Sequence, residues 1–478
     1  MLATFYFPYL SMLNAPSAPS GVVELIRHGN VQAAAAHVQR LVESDDDASP
    51  AALLQLQGDL QLSLGMEVDA DDSFREAQKR MRDDKDAMRF VSWRNAGWQA
   101  LFRYRYGTAM SCFMRIADHP CASAAQRLDA LFGAFGVLFS VGRLRDARAA
   151  LDTLEDLLDE SAAQVSHAAG WQRLLSTVRV DVEAQSQLRS HAALSDHIYW
   201  QVDLTSDIAP QRPVALRVLT GSIDDRLLRE RIEFLELLAQ LAGGERDARL
   251  ALIAHAEWAG KQGIQNYQSV VRIEIVLASL VGGATSLAES MLTSLTAEVR
   301  MPQSHRQLEY LYCLAKLRHV EGRSGESLEL YTRYALAAVS CIRDEAVALA
   351  RYGQRTARAP EQLDDIGARL PARYRRAYRY LLDNLERKDL SIREIAAQIG
   401  VTDRALQSAF AASLGSTPTE IIRRLRMERI RAELEGQDSA HEHGILATAV
   451  KWGVSNRSTL INGYRREFNE SPSDTLNR

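Results

Sequence analysis

The sequence predicts an all-α protein in which an N-terminal body of helical hairpins precedes a C-terminal module of two helix-turn-helix units. Three observations support this fold class. Apolar residues recur at helical spacing, as at Leu308, Leu311 and Ala315, and alternating strand patterns are scarce. Short turns marked by glycine separate paired amphipathic stretches in the body. Finally, one pattern, whose first and last positions are 22 or 23 residues apart, occurs twice in the last hundred residues.

The length and composition are those of an ordinary globular protein. The 478 residues are 46% hydrophobic and 25% charged, which is enough for two or three domains with full cores. Residues 371–478 contain 18 Lys and Arg against 14 Asp and Glu, whereas the preceding part contains 39 against 47. A basic C-terminal part on an acidic body is typical of a protein in which one end binds nucleic acid.

The apolar N-terminus, MLATFYFPYLSML, has no basic region before it and contains Pro8. We therefore expect a packed N-terminal segment and not a signal peptide. No stretch approaches 18 apolar residues, so we expect no membrane span. The four cysteines do not have the paired spacing of metal ligands. We therefore interpret them as small apolar residues of a protein in a reducing compartment. We expect a cytoplasmic bacterial protein that associates with the nucleoid.

Three segments of the body predict helical hairpins. Residues 311–335 pair two amphipathic helices around Gly322, and residues 131–151 repeat this design around Gly142. A weaker copy at 53–77 contains Gly65. The segments resemble tetratricopeptide-type repeats, but the period is irregular and the full pattern is never complete, so a plain helical domain stays open as an alternative.

Stacked helix pairs make concave surfaces, so this body is predicted to offer a platform for a protein partner and not a pocket for a small ligand. The stretch 353–371 is rich in Gly, Pro and polar residues, and it predicts a domain boundary. The predicted domains are therefore a tetratricopeptide-like body at 1–360 and a separate C-terminal module at 371–478.

The repeated pattern of the module has matching small, turn, apolar and proline positions. Its members are Ala396, Gly400, Val401, Leu406, Phe410, Leu414 and Pro418, and then Ala449, Gly453, Val454, Leu460, Tyr464, Phe468 and Pro472. A small residue lets two helices cross closely, and glycine permits a positive φ in the short turn between them. Apolar residues four apart anchor the second helix to its own domain. The pattern therefore predicts two helix-turn-helix units.

Helix starts and a spacer are also marked. Ser391 with Glu394 and Thr417 with Glu420 have the spacing of capping boxes, and SPSD at 471–474 imitates one. A basic helix at about 419–434 joins the units and spans roughly 25 Å. This spacer could place two recognition helices in successive major-groove segments about 34 Å apart. One chain could then read a bipartite, direct-repeat site in double-stranded DNA without dimerising.

The stretches SIREIAAQIGVTDRALQSAFAASLGSTPTEIIRRLRMERI and ATAVKWGVSNRSTLINGYRREFNESPSDTLNR resemble the signature of the AraC/XylS-type transcription regulators. The resemblance covers about 100 residues. The length, the helical N-terminal body and the opening MLATFYF are similar to the HrpB/HrpX-like activators of type III secretion genes. This resemblance implies a DNA-binding activator of secretion and effector promoters that works with RNA polymerase.

By this match the recognition helices lie at 403–414 and 456–467. The residues expected to face the first groove segment are Arg404, Gln407 and Ser408. Those expected to face the second segment are Arg457, Ser458, Thr459 and Asn462. On the spacer helix, the residues expected to contact phosphates are Arg423, Arg424 and Arg429.

The second unit departs from the family pattern at three positions. Val454 replaces the usual Phe, Asn469 replaces the usual Gly, and Gly463 within a recognition helix costs about 1 kcal/mol relative to Ala. These departures leave an alternative open, in which the chain is a helical interaction scaffold whose DNA-binding module is secondary or decayed. The retained capping boxes and surface arginines favour the regulator.

Other motifs carry no chemistry in this interpretation. His441-Glu442-His443 is read as a solvated joint and not as a metal site, and the acidic run 45–47 is read as an exposed loop. The sequence has no Walker loop, dinucleotide fingerprint, HExxH motif or nucleophile elbow. We therefore expect no catalytic residues, no cofactor and no metal.

Overall fold

The computed structural model describes residues 2–44, 50–81, 85–198, 200, 223–295, 305–349, 370–435, 445–468 and 470–476. The described residues form α-helices joined by turns, with one short 3-10 helix at Ala192–Leu194 and no β-strand among them. The predicted all-α class is therefore confirmed. The predicted boundary segment, the acidic run at 45–47 and the His441-Glu442-His443 motif lie largely or wholly outside the described residues.

The helices are numbered here in chain order. The first ten are α1 Leu2–Leu13, α2 Ser20–Arg27, α3 Val31–Ser44, α4 Ala51–Ser63, α5 Glu67–Arg80, α6 Lys85–Phe102, α7 Tyr106–Ala117, α8 Ala124–Ser140, α9 Leu144–Ser161 and α10 Ala168–Arg189. The next six are α11 Arg226–Ala242, α12 Ala248–Gln262, α13 Tyr267–Val281, α14 Thr285–Leu295, α15 His305–Val320 and α16 Ser324–Leu349. The remaining described helices are α17 Ala372–Asp383, α18 Ile392–Gln398, α19 Asp403–Leu414, α20 Pro418–Glu435, α21 Ile445–Lys451, α22 Arg457–Phe468 and α23 Pro472–Leu476.

The chain divides into two compact units. The first contains Met1–Arg80 and Gly97–Gly353, and the second contains Met81–Ala96 and Gln354–Arg478. The first turns of α6 thus belong to the second unit, where the Ser92 hydroxyl donates a hydrogen bond to the Ser413 carbonyl at 2.6 Å. The predicted domain boundaries, 1–360 and 371–478, differ from this division because they assign the segment 81–96 to the N-terminal body.

The N-terminal helix α1 lies in the core of the first unit. Phe5, Tyr6, Phe7 and Tyr9 are buried, because α1 packs against α4, α8 and α10. The close approach to α8 needs a glycine, since a Cβ on Gly136 would lie 2.4 Å from the Ala3 side chain. The packed N-terminal segment expected from the sequence is thus a buried helix.

The three predicted helical hairpins are confirmed. They are the pairs α4 with α5, α8 with α9 and α15 with α16, each packed across a short turn. The turn glycines Gly65, Gly142 and Gly322 have φ between +74° and +78°, the left-handed conformation that glycine adopts without a steric penalty. A further hairpin, α13 with α14, turns at Gly283 and was not among those predicted.

A buried ionic cluster connects four helices of the N-terminal compact unit that are far apart in sequence. The Arg231 guanidinium of α11 donates to both oxygens of Asp181 on α10, at 2.7 and 2.9 Å. It also donates to both oxygens of Glu274 on α13, at 2.7 and 2.9 Å. The Tyr6 hydroxyl of α1 donates to Asp181 at 2.9 Å. Because every member is paired, the cluster avoids the large cost of a lone buried charge.

Candidate nucleic-acid interface

The first helix-turn-helix unit consists of α18 and α19, supported by α17 and the first half of α20. Leu406, Phe410 and Leu414 of α19 are buried, as their four-residue spacing predicts. Ala396 of α18 is fully buried in the same core. The turn between α18 and α19 contains Gly400 at a φ of +62°. The predicted packing of this unit is therefore confirmed.

The second unit repeats this design with α21 and α22 on the second half of α20. Ala449, Leu460 and Tyr464 are buried with Met427, Ile430 and Leu434 of α20. Phe468 packs against the same core, and Gly453 in the turn has a φ of +73°. The two units thus have separate apolar cores that share one connecting helix.

The structure explains two of the departures in the second unit. Val454 is buried in the second core, so an aliphatic side chain fills the position where the family pattern has Phe. Gly463 is also buried, and a Cβ there would lie only 3.2 Å from the Met427 sulfur. Glycine at 463 therefore lets α22 approach α20 closely. Asn469 lies outside the described residues.

Capping side chains fix where the helices begin. Thr417 and Glu420 form a reciprocal capping box at α20, and Ser471 and Asp474 form one at α23. At α18 the Ser391 hydroxyl accepts from the Glu394 amide at 3.2 Å. The predicted reciprocal bond is replaced there, because the Glu394 carboxylate accepts from the Tyr380 hydroxyl at 2.6 Å and from Arg387 at 2.7 Å. These two bonds lower the pKa of Glu394.

The recognition helices are also capped. The Thr402 hydroxyl accepts from the Ala405 amide at 3.2 Å at the start of α19. At α22, the Asn456 side chain accepts from the amides of Ser458 and Thr459, at 2.8 and 3.3 Å. Capping of this kind satisfies the first amides of a helix and holds its first turn in place. The first turn is the part of a recognition helix that enters the major groove.

The structure exposes every residue that the sequence assigned to base reading. Arg404, Gln407 and Ser408 lie on the solvent side of α19, opposite the buried Leu406 and Phe410. On α22 the exposed predicted residues are Arg457, Ser458, Thr459 and Asn462. Each helix therefore has one face in its core and the other free for a ligand.

Two basic residues of α22 were missed by the sequence interpretation. Arg465 and Arg466 are exposed, and Arg465 follows Ser458 by seven residues and Asn462 by three. This spacing places it on the same helix face as both. Their positive charge at helical spacing is visible in the sequence, but the residues predicted from the family resemblance did not include them.

The three arginines predicted to contact phosphates lie in different surroundings. Arg423 lines a cleft between the two helix-turn-helix units. It forms no ion pair with any residue that the structure describes. Arg424 lies 3.6 Å from the Glu428 carboxylate. Arg429 lies over the Trp452 ring, 5.6 Å from its centroid. All three side chains are half-buried, so they differ in their neighbours and not in their exposure class.

The cleft has a volume of about 410 Å³. Leu390, Ile392 and Ile422 contribute apolar walls, while Asn456 and Thr459 bring the start of the second recognition helix to it. It lies where α20 passes from the first core to the second. The cleft is thus a seam between the two helix-turn-helix units.

Comparison with known proteins agrees with this geometry. A helix-turn-helix domain family model matches residues 395–478. The regulatory protein HrpB of Ralstonia nicotianae is 34% identical over 493 residues, covering 100% of both chains. The XylDLEGF operon transcriptional activator 1 of Pseudomonas putida is 30% identical over 105 residues, covering 22% of this chain and 31% of its own. The probable thc operon regulatory protein of Rhodococcus erythropolis is 29% identical over 153 residues, covering 32% of this chain and 44% of its own.

No solved structure matches the chain. Among the described residues, no helix is long and apolar enough to cross a membrane. The likeness to HrpB extends over the whole chain, whereas the other two relatives named here cover about a third of it or less.

Proposed function

The chain belongs to the AraC/XylS-type transcription regulators, in the group of the regulatory protein HrpB, and we propose that it activates type III secretion and effector promoters. That it is a DNA-binding transcription regulator follows from its family and its two intact helix-turn-helix units. The proposal for the target promoters rests on the likeness to HrpB over the full length. Val454 and Gly463 no longer favour a decayed module, because each has a packing role.

The proposed mode of binding uses both recognition helices of one chain. Arg404, Gln407 and Ser408 would read one half of the site, and Arg457, Ser458, Thr459 and Asn462 the other half. The exposure of these side chains and the separate cores beneath them support this assignment. Arg can donate two bonds to guanine, and Gln can pair with adenine. Arg423 would contact the backbone between the halves, with Arg424 and Arg429 as further phosphate candidates.

Mapping the positions of the protein on its host genome tests the target promoters. We expect occupancy upstream of secretion and effector operons, and loss of their transcripts when the gene is deleted. A variant with Arg404→Ala and Arg457→Ala should be present at normal levels and should occupy none of these promoters. Occupancy confined to unrelated promoters would contradict the proposed targets and leave DNA binding intact.

The body is proposed to receive a protein partner, and the module to act with RNA polymerase. On the described surface of α16, Leu328 and Leu336 are 69% and 70% exposed and lie two turns apart on one face. We take this pair as the candidate contact, because apolar side chains exposed on one face can contribute to a protein interface. A Leu336→Glu variant should bind promoter DNA with unchanged affinity and lose transcriptional activation. Unchanged activation by this variant would argue against a partner at this face.

A further inference from the structure

Arg426 occupies a special position on the connecting helix α20. The residue before it, Leu425, belongs to the first core, and the residue after it, Met427, belongs to the second. Arg426 itself belongs to neither core and lines the cleft between them. It therefore stands at the point where the two helix-turn-helix units meet.

The guanidinium of Arg426 donates to both units. Its Nε donates to the Leu385 carbonyl at 3.0 Å, and its Nη2 donates to the Arg387 carbonyl; both acceptors lie in the loop between α17 and α18. Its Nη1 donates to the carbonyl of Gly453, in the turn of the second unit, at 3.5 Å. Among the described residues the guanidinium has no carboxylate partner, and its acceptors are main-chain carbonyls. A planar guanidinium is suited to this task because it presents several donors in fixed directions.

Side-chain bonds connect the acceptor loop to its own helix-turn-helix unit. The Arg387 side chain pairs with Asp389 at 3.1 Å and with Glu394 at 2.7 Å, and Glu394 accepts from the Tyr380 hydroxyl. These bonds connect the loop to α17 and α18. The carbonyls that Arg426 binds are thus attached to the body of the first unit.

Close packing on the other side of Arg426 points the same way. A Cβ on Gly453 would lie 2.9 Å from the Arg426 Nη2 and 3.0 Å from the Glu386 carbonyl. The turn of the second unit therefore rests directly on the guanidinium and on the loop of the first unit. Glycine at 453 serves both the positive φ and this contact.

We propose that Arg426 is a positioning residue that locks the second recognition helix at a fixed orientation to the first and so sets the half-site spacing that the protein accepts. The proposal rests on DNA binding by both units. A continuous helix alone leaves each unit free to rock about the seam, because each core holds only its own half of α20. The bonds from Arg426 to both units remove this freedom.

The test measures spacing preference with the full-length protein. The site that wild type selects from random DNA is remade with one or two base pairs inserted or removed between its two halves. Each added base pair turns the halves by roughly 34° relative to each other. We expect wild-type affinity to fall about tenfold for a one-base-pair change, since one recognition helix loses its contacts.

Arg426→Met removes the bridging bonds and keeps an unbranched side chain. We expect its affinity for the best site to fall about tenfold and its loss on changing the spacing by one base pair to shrink to about threefold or less. Its salt dependence should equal that of wild type, because no phosphate contact is removed. Arg431→Met is the matched control, because it removes an arginine from the same helix whose contacts, Glu470 and the Phe468 ring, both lie on the side of the second unit. It should keep the sharp spacing preference.

Two further outcomes decide between explanations. An unchanged spacing preference in Arg426→Met, with a smaller salt slope, would overturn the proposal and make Arg426 a phosphate contact. If circular dichroism shows that Arg426→Met is unfolded, Arg426→Lys decides, because it retains the charge but cannot reach both units; it should also broaden the accepted spacing. Failure of wild type to select any site would instead contradict the proposed function.

Discussion

At the scale of single residues, exposure separates candidate base readers from structural side chains. Arg404 and Arg457 are exposed near the starts of α19 and α22, and within the described chain neither forms an ion pair. Arg424, Arg429 and Arg426 have protein partners instead: a carboxylate, an aromatic ring and carbonyls. An arginine without a protein partner keeps all its donors for a ligand, which supports base reading by the first two.

Replacing Arg404 or Arg457 by Ala should weaken specific binding by about 1–3 kcal/mol and relax base preference in one half of the site. Sites selected from a random DNA pool by each variant provide the measurement. Arg423→Ala is the comparison, because a lost phosphate contact weakens binding to all sequences alike and reduces the salt slope by about one. An Arg404→Ala protein that recovers the wild-type consensus at full strength would show that Arg404 does not read bases.

Buried histidines are expected to make the stability of the N-terminal compact unit depend on pH. His197 is 1% exposed, lies against the Tyr312 ring and is 3.0 Å from the Tyr334 hydroxyl. Burial lowers the pKa of His197 to about 4, against 6.5 in an exposed histidine. Burial, with the nearby Arg231, lowers the pKa of His255 to about 3. Both side chains are thus neutral in the folded protein well below the pH at which they protonate in the unfolded chain.

Because the unfolded chain binds more protons between pH 6.5 and 4, the free energy of unfolding should fall as the pH is lowered through this range. Each histidine contributes about 1.4 kcal/mol per pH unit. Urea unfolding between pH 7.5 and 4.5 measures the slope. His197→Phe keeps a ring and cannot titrate, so its deficit relative to wild type should shrink as the pH falls. Parallel curves for the two proteins would exclude His197 as the source.

At the scale of elements, two glycines of the second unit serve different purposes. Gly453 combines a φ of +73° with contacts to Arg426 and the Glu386 carbonyl, both of which are fixed. Gly463 lies in the regular helix α22, and its near neighbour is the flexible side chain of Met427. The first position needs glycine for its backbone conformation, whereas the second needs it only for space.

We therefore expect Gly453→Ala to lower the free energy of unfolding by about 1–2 kcal/mol or more, since a Cβ is disfavoured at positive φ and meets fixed atoms. Gly463→Ala should change stability by less than about 1 kcal/mol, because the gain in helix propensity offsets a contact that Met427 can relieve by moving. Urea denaturation of the two variants compares them directly. Equal losses would mean that Met427 is held as rigidly as the turn.

At the scale of the whole molecule, the C-terminal module contains its own cores and its own helix caps. Both apolar clusters consist of residues 370 to 464, and the caps at Ser391, Thr402, Thr417 and Asn456 have local partners. The segment 81–96 of the same compact unit lies outside this stretch, and its Ser92 donates a hydrogen bond to the Ser413 carbonyl. That bond alone contributes about 1 kcal/mol, whereas the two apolar cores lie almost wholly within 371–478.

We predict that the fragment 371–478 folds alone and binds the same DNA as the full chain. A cooperative thermal transition and a gel shift with the selected site are the measurements. The consensus should show two short blocks about one helical turn apart in direct orientation, because two like units follow one another in one chain. An inverted repeat would point to a symmetric dimer, and an affinity that did not change with salt would argue against phosphate contacts.

The sequence by itself determined the all-α class, three of the hairpins, both helix-turn-helix units and the exposed face of each recognition helix. Periodicity, turn glycines and caps are local signals, so they can be recognised in the sequence without knowledge of the fold. Only the tertiary structure decided the partners of Arg231, the fit of Gly463 against Met427 and the bridge that Arg426 makes. The sequence also predicted that the Glu394 carboxylate accepts from the Ser391 amide, whereas in the structure it accepts from Tyr380 and Arg387. Such contacts join residues far apart in the chain, and a charged or small residue in a sequence does not reveal what will lie against it.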